Sequence, residues 1–298
     1  MTSLDVYPAG RIGNSLFFSA AAALFASKLN MAEENIAWYG HEPDLKSIQE
    51  LVPFYPTLHE PGLSESLQIQ IRNFFGSKGN LPIRNLQKID SLRRRFGKKI
   101  LSLDSIPFEL DRQDKYAIFD YFQTFEVVSY VSENWKRYAE TEYAERLPKD
   151  LLNLISRSDA FVVHLRFGDY LDSNHKVVYG ELSSDFYSLA LSSLGASSSS
   201  TVLITTDSPT EAREKLLRSG FNNLTTVSEG WGTDPVEDFM TLVLSQQKVL
   251  SNSTFSWWAG YLSGDPTRVC APSPLSKDGG RQCAWDPRWL AIPAHWAM

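Results

Sequence analysis

Cysteine is scarce: the chain carries two, Cys270 and Cys283. Two thiols make neither a metal-ligand spacing nor a disulfide framework, and a reducing compartment suits them. Positive charge is in deficit too, with 29 Lys and Arg against 35 Asp and Glu and a net charge of −6. That balance argues against a nucleic-acid binder, which neutralises phosphates with clustered cations. One basic run, Arg93-Arg94-Arg95 with Lys98-Lys99, falls in a predicted helix. It reads as a solvated face; contact with anionic lipid or a charged substrate is the alternative. Long apolar runs are missing. The most apolar stretch, residues 16–29, is interrupted by Ser19, Ser27 and Lys28 and is short for a bilayer span. Residues 4–7 read as a strand rather than as part of a basic and then apolar leader. The expectation is a soluble, cytoplasmic protein that can lie peripheral to a membrane. There is no internal repeat. No Asp-x-Asp pair occurs, so a metal bridging phosphates through such a pair is not indicated.

What is present supports one or two real cores: 43% of residues are apolar and 12% aromatic. A strand at 4–7 leads through Pro8-Ala9-Gly10-Arg11-Ile12-Gly13 into a helix starting near Asn14, apolar on most sides and therefore buried. Strands follow at 36–39 and 116–119, and helices near 44–52, 64–75, 85–97 and 133–146. The second half alternates more cleanly. Strands are predicted in DAFVVHL, TVLITTD, KVLSN and TRVCAP, with helices at 184–194 and 208–219, from Asp234, and from about Thr254. Asp234-Pro235-Val236-Glu237 has an Asp N-cap, Pro at the first helical position and Glu three residues after the cap. Such alternation predicts an α/β protein of parallel βαβ units. The polar stretch near 148–158 divides it into domains 1–155 and 156–298.

In an open parallel sheet, ligands bind beyond the carboxyl ends of the strands. Three predicted ends in the second half carry polar groups: His164 with Arg166, Asp207, and Asn252. Alternation puts His164 and Arg166 on one face. Alone, a buried His is a satisfied core residue and a strand-end Arg an ordinary ion pair; three such ends in one domain point to a site. Ser253, Thr254 and Ser256 open the next helix, where backbone N–H groups and the dipole make an anion site. Capping needs one of them, and the surplus favours a phosphate. Arg166 suits the opposite side, because guanidinium matches phosphate oxygens in bidentate geometry. The ligand is then phosphate-bearing, a nucleotide, with its leaving charge neutralised without a metal. Gly10-Arg11-Ile12-Gly13-Asn14 is a facing loop that meets neither P-loop nor dinucleotide fingerprint.

The run His164-Leu165-Arg166-Phe167-Gly168-Asp169-Tyr170 resembles the HxRRGDY motif of the α-1,2-fucosyltransferases of glycosyltransferase family 11. Residues 238–262, DFMTLVLSQQKVLSNSTFSWWAGYL, resemble that family's acidic residue and helix followed by NSSFSWWxAxL. GRIGN at 10–14 is similar to its GxLGN loop and to the GRFGN loop of protein O-fucosyltransferases, and Tyr121-Phe122-Gln123 to its aromatic GYFQ segment. The resemblance implies a GT-B-like fold of two Rossmann-like domains, with the donor site at the carboxyl ends of the second domain's strands. It implies inverting, metal-independent transfer of fucose from GDP-fucose to the 2-hydroxyl of a terminal galactose-type sugar on an oligosaccharide. Arg166 would hold the β-phosphate and His164 and Asp207 would lie near the guanosine. Asn252, Ser253, Thr254 and Ser256 would add phosphate contacts, and Asn14 and Arg11 would reach the donor from the first domain. Bacterial surface-polysaccharide synthesis is the expected setting.

Two positions depart from the pattern. Phe167 stands where the family has a second Arg, and Ser15 where it has Gln. Adjacent strand residues point to opposite faces, so Phe167 can pack in the core. Asp169 is the candidate base, with an Asx turn or a lock on Arg166 as its structural alternative. Asp238 is a poorer candidate, since the helix dipole explains an acid in a first turn. For Trp257 and Trp258, packing is the leading reading and stacking on a sugar the sharper one. Transfer of another GDP-sugar, transfer to a protein Ser or Thr, and a non-catalytic binding homologue remain as alternatives.

Overall fold

The computed structural model describes residues 2–40, 42–60, 97–101, 105–168, 179–277 and 286–297. The chain divides into two compact units, Met1–Glu133 and Asn134–Met298. The division lies upstream of the boundary at 155, because residues 149–155 form a helix packed on the second unit's first strand and on its helix 235–244.

In the first unit, strands β1 (Ser3–Val6), β2 (Ile36–Trp38), β3 (Thr57–Leu58), β4 (Lys99–Leu101) and β5 (Lys115–Ile118) form a parallel sheet ordered β3-β2-β1-β5-β4. Helix α1 (Ile12–Leu29) has no polar stripe and is buried on nearly all sides. It is the one helix among the described residues long and apolar enough to cross a membrane, and 78% of it is buried inside the protein, as in a core helix. Asn30 ends it in the left-handed conformation, φ 54°, where its N–H closes on the Ala26 and Ser27 carbonyls. Helix α2 (Glu42–Leu51) buries Leu45, Ile48 and Leu51 along one stripe. Helix α3 (Phe125–Arg146), which runs through the division between the units, starts well before the predicted residue 133. Its opening Val127, Val128 and Val131 are poor helix formers, but all three are buried, and packing outweighs propensity.

The second unit carries helix α4 (Lys149–Ile155) and strands β6 (Ala160–Leu165), β7 (Thr201–Thr206), β8 (Leu224–Thr226), β9 (Lys248–Val249), β10 (Val269–Ser273) and β11 (Leu290–Pro293). Helices α5 (Ser184–Ser193), α6 (Pro209–Arg218), α7 (Val227–Trp231), α8 (Pro235–Leu244) and α9 (Thr254–Tyr261) connect them. All strand pairings are parallel, and the order is β11-β10-β9-β6-β7-β8. Numbered within the unit this is the doubly wound order 3-2-1-4-5-6, whose direction reverses between β6 and β9. The α/β class with two parallel sheets is thus as expected. The capping box at Asp234 is complete, with Glu237 Oε2 accepting from the Asp234 N–H at 3.1 Å.

Strands β3, β4, β8 and β11 and helices α4 and α7 were not predicted; α4 has seven residues and the others two to five, which leaves little room for a periodic signal. The helices expected near 64–75 and 85–97 fall outside the described residues apart from Gly97, as do Arg93, Arg94 and Arg95. Lys98 and Lys99 are not on a solvated helical face. Lys99 opens β4, and Lys98 forms an ion pair with Asp5, buried in β1.

Candidate active site

At the reversal between β6 and β9, loops leaving neighbouring strands turn to opposite sides, which in open parallel sheets opens the ligand-binding crevice at the carboxyl edge. The motif residues of the second unit converge there. His164, in the last turnout of β6, is buried, and its Nδ1 lies 2.8 Å from Ser251 Oγ just past β9. Its ring stacks on Phe255 of α9, centroids 5.0 Å apart. Burial, and then the Arg166 charge, push its pKa down to about 3. The imidazole is therefore neutral at every physiological pH. It acts as a hydrogen-bond partner of Ser251.

Arg166 follows β6 directly, and Asp207 follows β7 one step beyond the register pair Leu165–Thr206. Their side chains meet, Nη1 to Oδ2 at 2.5 Å. The other oxygen, Oδ1, accepts the Phe167 N–H at 3.0 Å. Gly168 has φ +21°, and a Cβ there would run into Asp207 Oδ2. One carboxylate thus clamps two consecutive residues and lies close against a third. Phe167 turns into the core, 3% exposed, among Leu165, Phe186 and Leu216. Lys215 Nζ sits 5.2 Å from the centre of its ring while bonded to Glu181 and to the Leu182 carbonyl.

The polar run at 252–256 makes specific bonds within the protein. Asn252 donates to the Tyr179 and Gly180 carbonyls at 2.8 and 3.1 Å. Ser253 is the N-cap of α9 and accepts from the Phe255 N–H at 3.2 Å. Ser256 is fully buried; its hydroxyl bonds the Ser251 carbonyl at 2.9 Å and lies 3.2 Å from Ser251 Oγ. These three side chains organise the fold, because a polar atom in a buried strand-to-helix turn costs free energy unless it is bonded. What α9 turns to the crevice is its N-terminal backbone and dipole, with Thr254 at its first position. The tryptophans behind it pack. Trp258 meets Trp257 edge-on at 5.3 Å and Trp135 at 5.2 Å, and Trp257 stacks on Tyr261 at 5.0 Å.

Asp169 lies outside the described residues, as do residues 170–178. Asp238, the poorer base candidate, has a distinct environment. It is buried one turn into α8, accepts from Thr233 Oγ1 at 2.6 Å, and burial pushes its pKa up to about 7. Ser251, a plain serine in KVLSN, was missed for want of any signal.

In the first unit, Arg11 is the exposed N-cap of α1, and its carbonyl accepts from Asn14 and Ser15 at 2.9 and 3.0 Å. Gly10, φ +88°, is needed because the Asn14 amide lies where a Cβ would be. Gln123 donates to Asn14 at 3.5 Å, so the GRIGN loop after β1 meets the aromatic segment after its neighbour β5. Phe122 holds φ 49°, a sparsely populated conformation for a non-glycine residue. Ser15 is buried in α1, where a small side chain fits.

Comparison with known proteins adds to this picture. The model of the family described as Glycosyl transferase family 11 matches residues 3–292. A Galactoside alpha-(1,2)-fucosyltransferase 2 of Hylobates lar is 28% identical over 160 residues, 51% of this chain and 47% of that protein. A Galactoside 2-alpha-L-fucosyltransferase Sec1 of Mus musculus is 29% identical over 146 residues, 47% and 40% of the two chains. The alignment thus spans about half the length of the curated relatives it matches. Among solved structures, the fucosyltransferase NodZ from Bradyrhizobium aligns at TM-score 0.48 and 14% identity, over 88% of this chain and 94% of that one. The E. coli heptosyltransferase WaaC with ADP aligns at 0.49 and 13%, over 99% and 94%.

Proposed function

Since this chain belongs to glycosyl transferase family 11, we propose that it is a fucosyltransferase that moves fucose from GDP-fucose to the 2-hydroxyl of a terminal galactose-type sugar. The names of its relatives support the linkage and the acceptor class. The observation that carries the reading is the meeting of two family-like motifs at one strand crossover. Arg166 and His164 leave β6 beside the Ser251–Ser256 turn that leaves β9.

In this reading the acceptor hydroxyl attacks the anomeric carbon from the face opposite GDP, inverting it. The bond from that carbon to the β-phosphate oxygen breaks and its electron pair leaves on GDP. Arg166 and the N-terminus of α9 stabilise that charge, which grows as an oxocarbenium-like transition state forms. This is charge neutralisation by the chain's own groups, with no step assigned to a metal. Asp169 is the proposed base for the acceptor proton. Binding without turnover is the second reading, favoured by Phe167 in place of the family's second Arg.

The test is GDP release from GDP-fucose with a panel of β-galactosides, followed by linkage analysis of the product. An α-1,2-linked fucoside is expected, and Arg166→Ala should remove it while the fold stays intact. Binding of GDP with no turnover on any acceptor would favour the second reading. Turnover with a different GDP-sugar, or onto protein hydroxyls, would reassign donor or acceptor.

A further inference from the structure

The Arg166–Asp207 contact goes beyond an ion pair, because the same carboxylate also holds the backbone of the next residue and lies where a Cβ on the one after would project. Oδ2 takes Arg166 Nη1, Oδ1 takes the Phe167 N–H, and Gly168 is held at φ +21° against Oδ2. Both side chains are mostly sequestered, 14% exposed for Arg166 and 22% for Asp207. The strands that carry them are adjacent and in register, so the contact is built on rigid backbone. A guanidinium is a planar fork; fixing one edge fixes where the rest of it points. We infer that Asp207 is a positioning residue: it aims Arg166 at the donor's diphosphate and makes no contact with the nucleoside. This rests on the donor site proposed above.

Charge alone predicts the opposite behaviour. Removing a carboxylate beside an anion site should tighten anion binding. Positioning predicts weaker binding, because an Arg166 that has lost this contact must be reordered when the ligand arrives.

Dissociation constants for GDP, guanosine and inorganic pyrophosphate, measured by calorimetry or competition, separate the two. Wild type is compared with Asp207→Asn, Arg166→Lys and the double variant. Asp207→Asn should weaken GDP and pyrophosphate by about tenfold or more, the size of one charge-assisted hydrogen bond. Guanosine affinity should change by less than about twofold, and in the Arg166→Lys background the loss for GDP should shrink toward that same size. Tighter or unchanged GDP binding would overturn the inference. So would a parallel loss of guanosine, or the full loss with Arg166 already replaced. If Asp207→Asn unfolds, Asp207→Glu takes its place; it keeps the charge but misplaces the fork, and wild-type affinity in that variant is equally fatal. Failure of the wild-type protein to bind GDP would instead remove the donor reading, and the pyrophosphate series would still decide the positioning role.

Discussion

Restoring the family's second arginine, by Phe167→Arg, is expected to damage the protein rather than improve it. The Phe167 ring is buried in the main cluster of the second unit. Losing a buried aromatic ring costs about 3–5 kcal/mol when it is truncated, and an arginine stem recovers part of that. The new guanidinium would then lie near Lys215 Nζ, which now stands 5.2 Å from the ring centre. Two unit charges at that spacing repel by about 3 kcal/mol at an effective dielectric of about 20. A cation–π contact of about 0.5–1 kcal/mol is lost as well. Glu181, already paired with Lys215, offsets some of the repulsion. The net is a loss of about 4 kcal/mol, a large share of the roughly 5–15 kcal/mol that holds a domain. Urea unfolding followed by circular dichroism reads this directly. Phe167→Arg with Lys215→Met should regain about 2 kcal/mol, since one cation is removed and Glu181 is left for the new one. A Phe167→Arg protein within about 1 kcal/mol of wild type, or no recovery in the double variant, would refute the reasoning.

The buried acid Asp238 should leave a pH signature. Its folded pKa, about 7, stands above the unfolded value of 3.8. Its contribution is therefore fully present below about pH 4 and lost as pH rises toward 7, at on the order of 1 kcal/mol per pH unit. Asp238→Asn should flatten that part of the stability profile; a wild-type-minus-variant difference independent of pH would contradict it. His164 should show no imidazole titration by proton NMR between pH 8 and 5, because its pKa is pushed down to about 3; a midpoint near 6.5 would mean that the ring is solvated. Asn252→Ala should cost about 1–3 kcal/mol by stranding the Gly180 carbonyl and leaving the Tyr179 carbonyl with the Lys277 N–H, and proteolysis at Tyr179 should quicken. Unchanged stability and unchanged cleavage would show that Asn252 does not hold that segment.

Much was legible from local pattern. The alternation of β6, β7, α6 and α8 with caps such as Asp234 depends on neighbours in the chain, so the sequence alone settles it. The same holds for the burial of α1, which has no polar stripe to turn to water. Motif residues could be placed at strand ends for that reason, and His164, Arg166 and Asp207 do stand at one sheet edge. Strands β8 and β11 were invisible, since they draw their stability from the strands they pair with.

What only the tertiary structure decided is which group each polar side chain serves. The sequence set down four hydroxyl and amide residues between Asn252 and Ser256; the fold commits three of them to Tyr179, Gly180, Phe255 and Ser251. It commits Asp207 to Arg166 and Phe167 and brings Lys215 from a different helix over the Phe167 ring. The reason is physical. Helix and strand period follow from covalent geometry along the chain, whereas a buried polar atom is satisfied by whatever partner the crossover of β6 and β9 brings within about 3 Å.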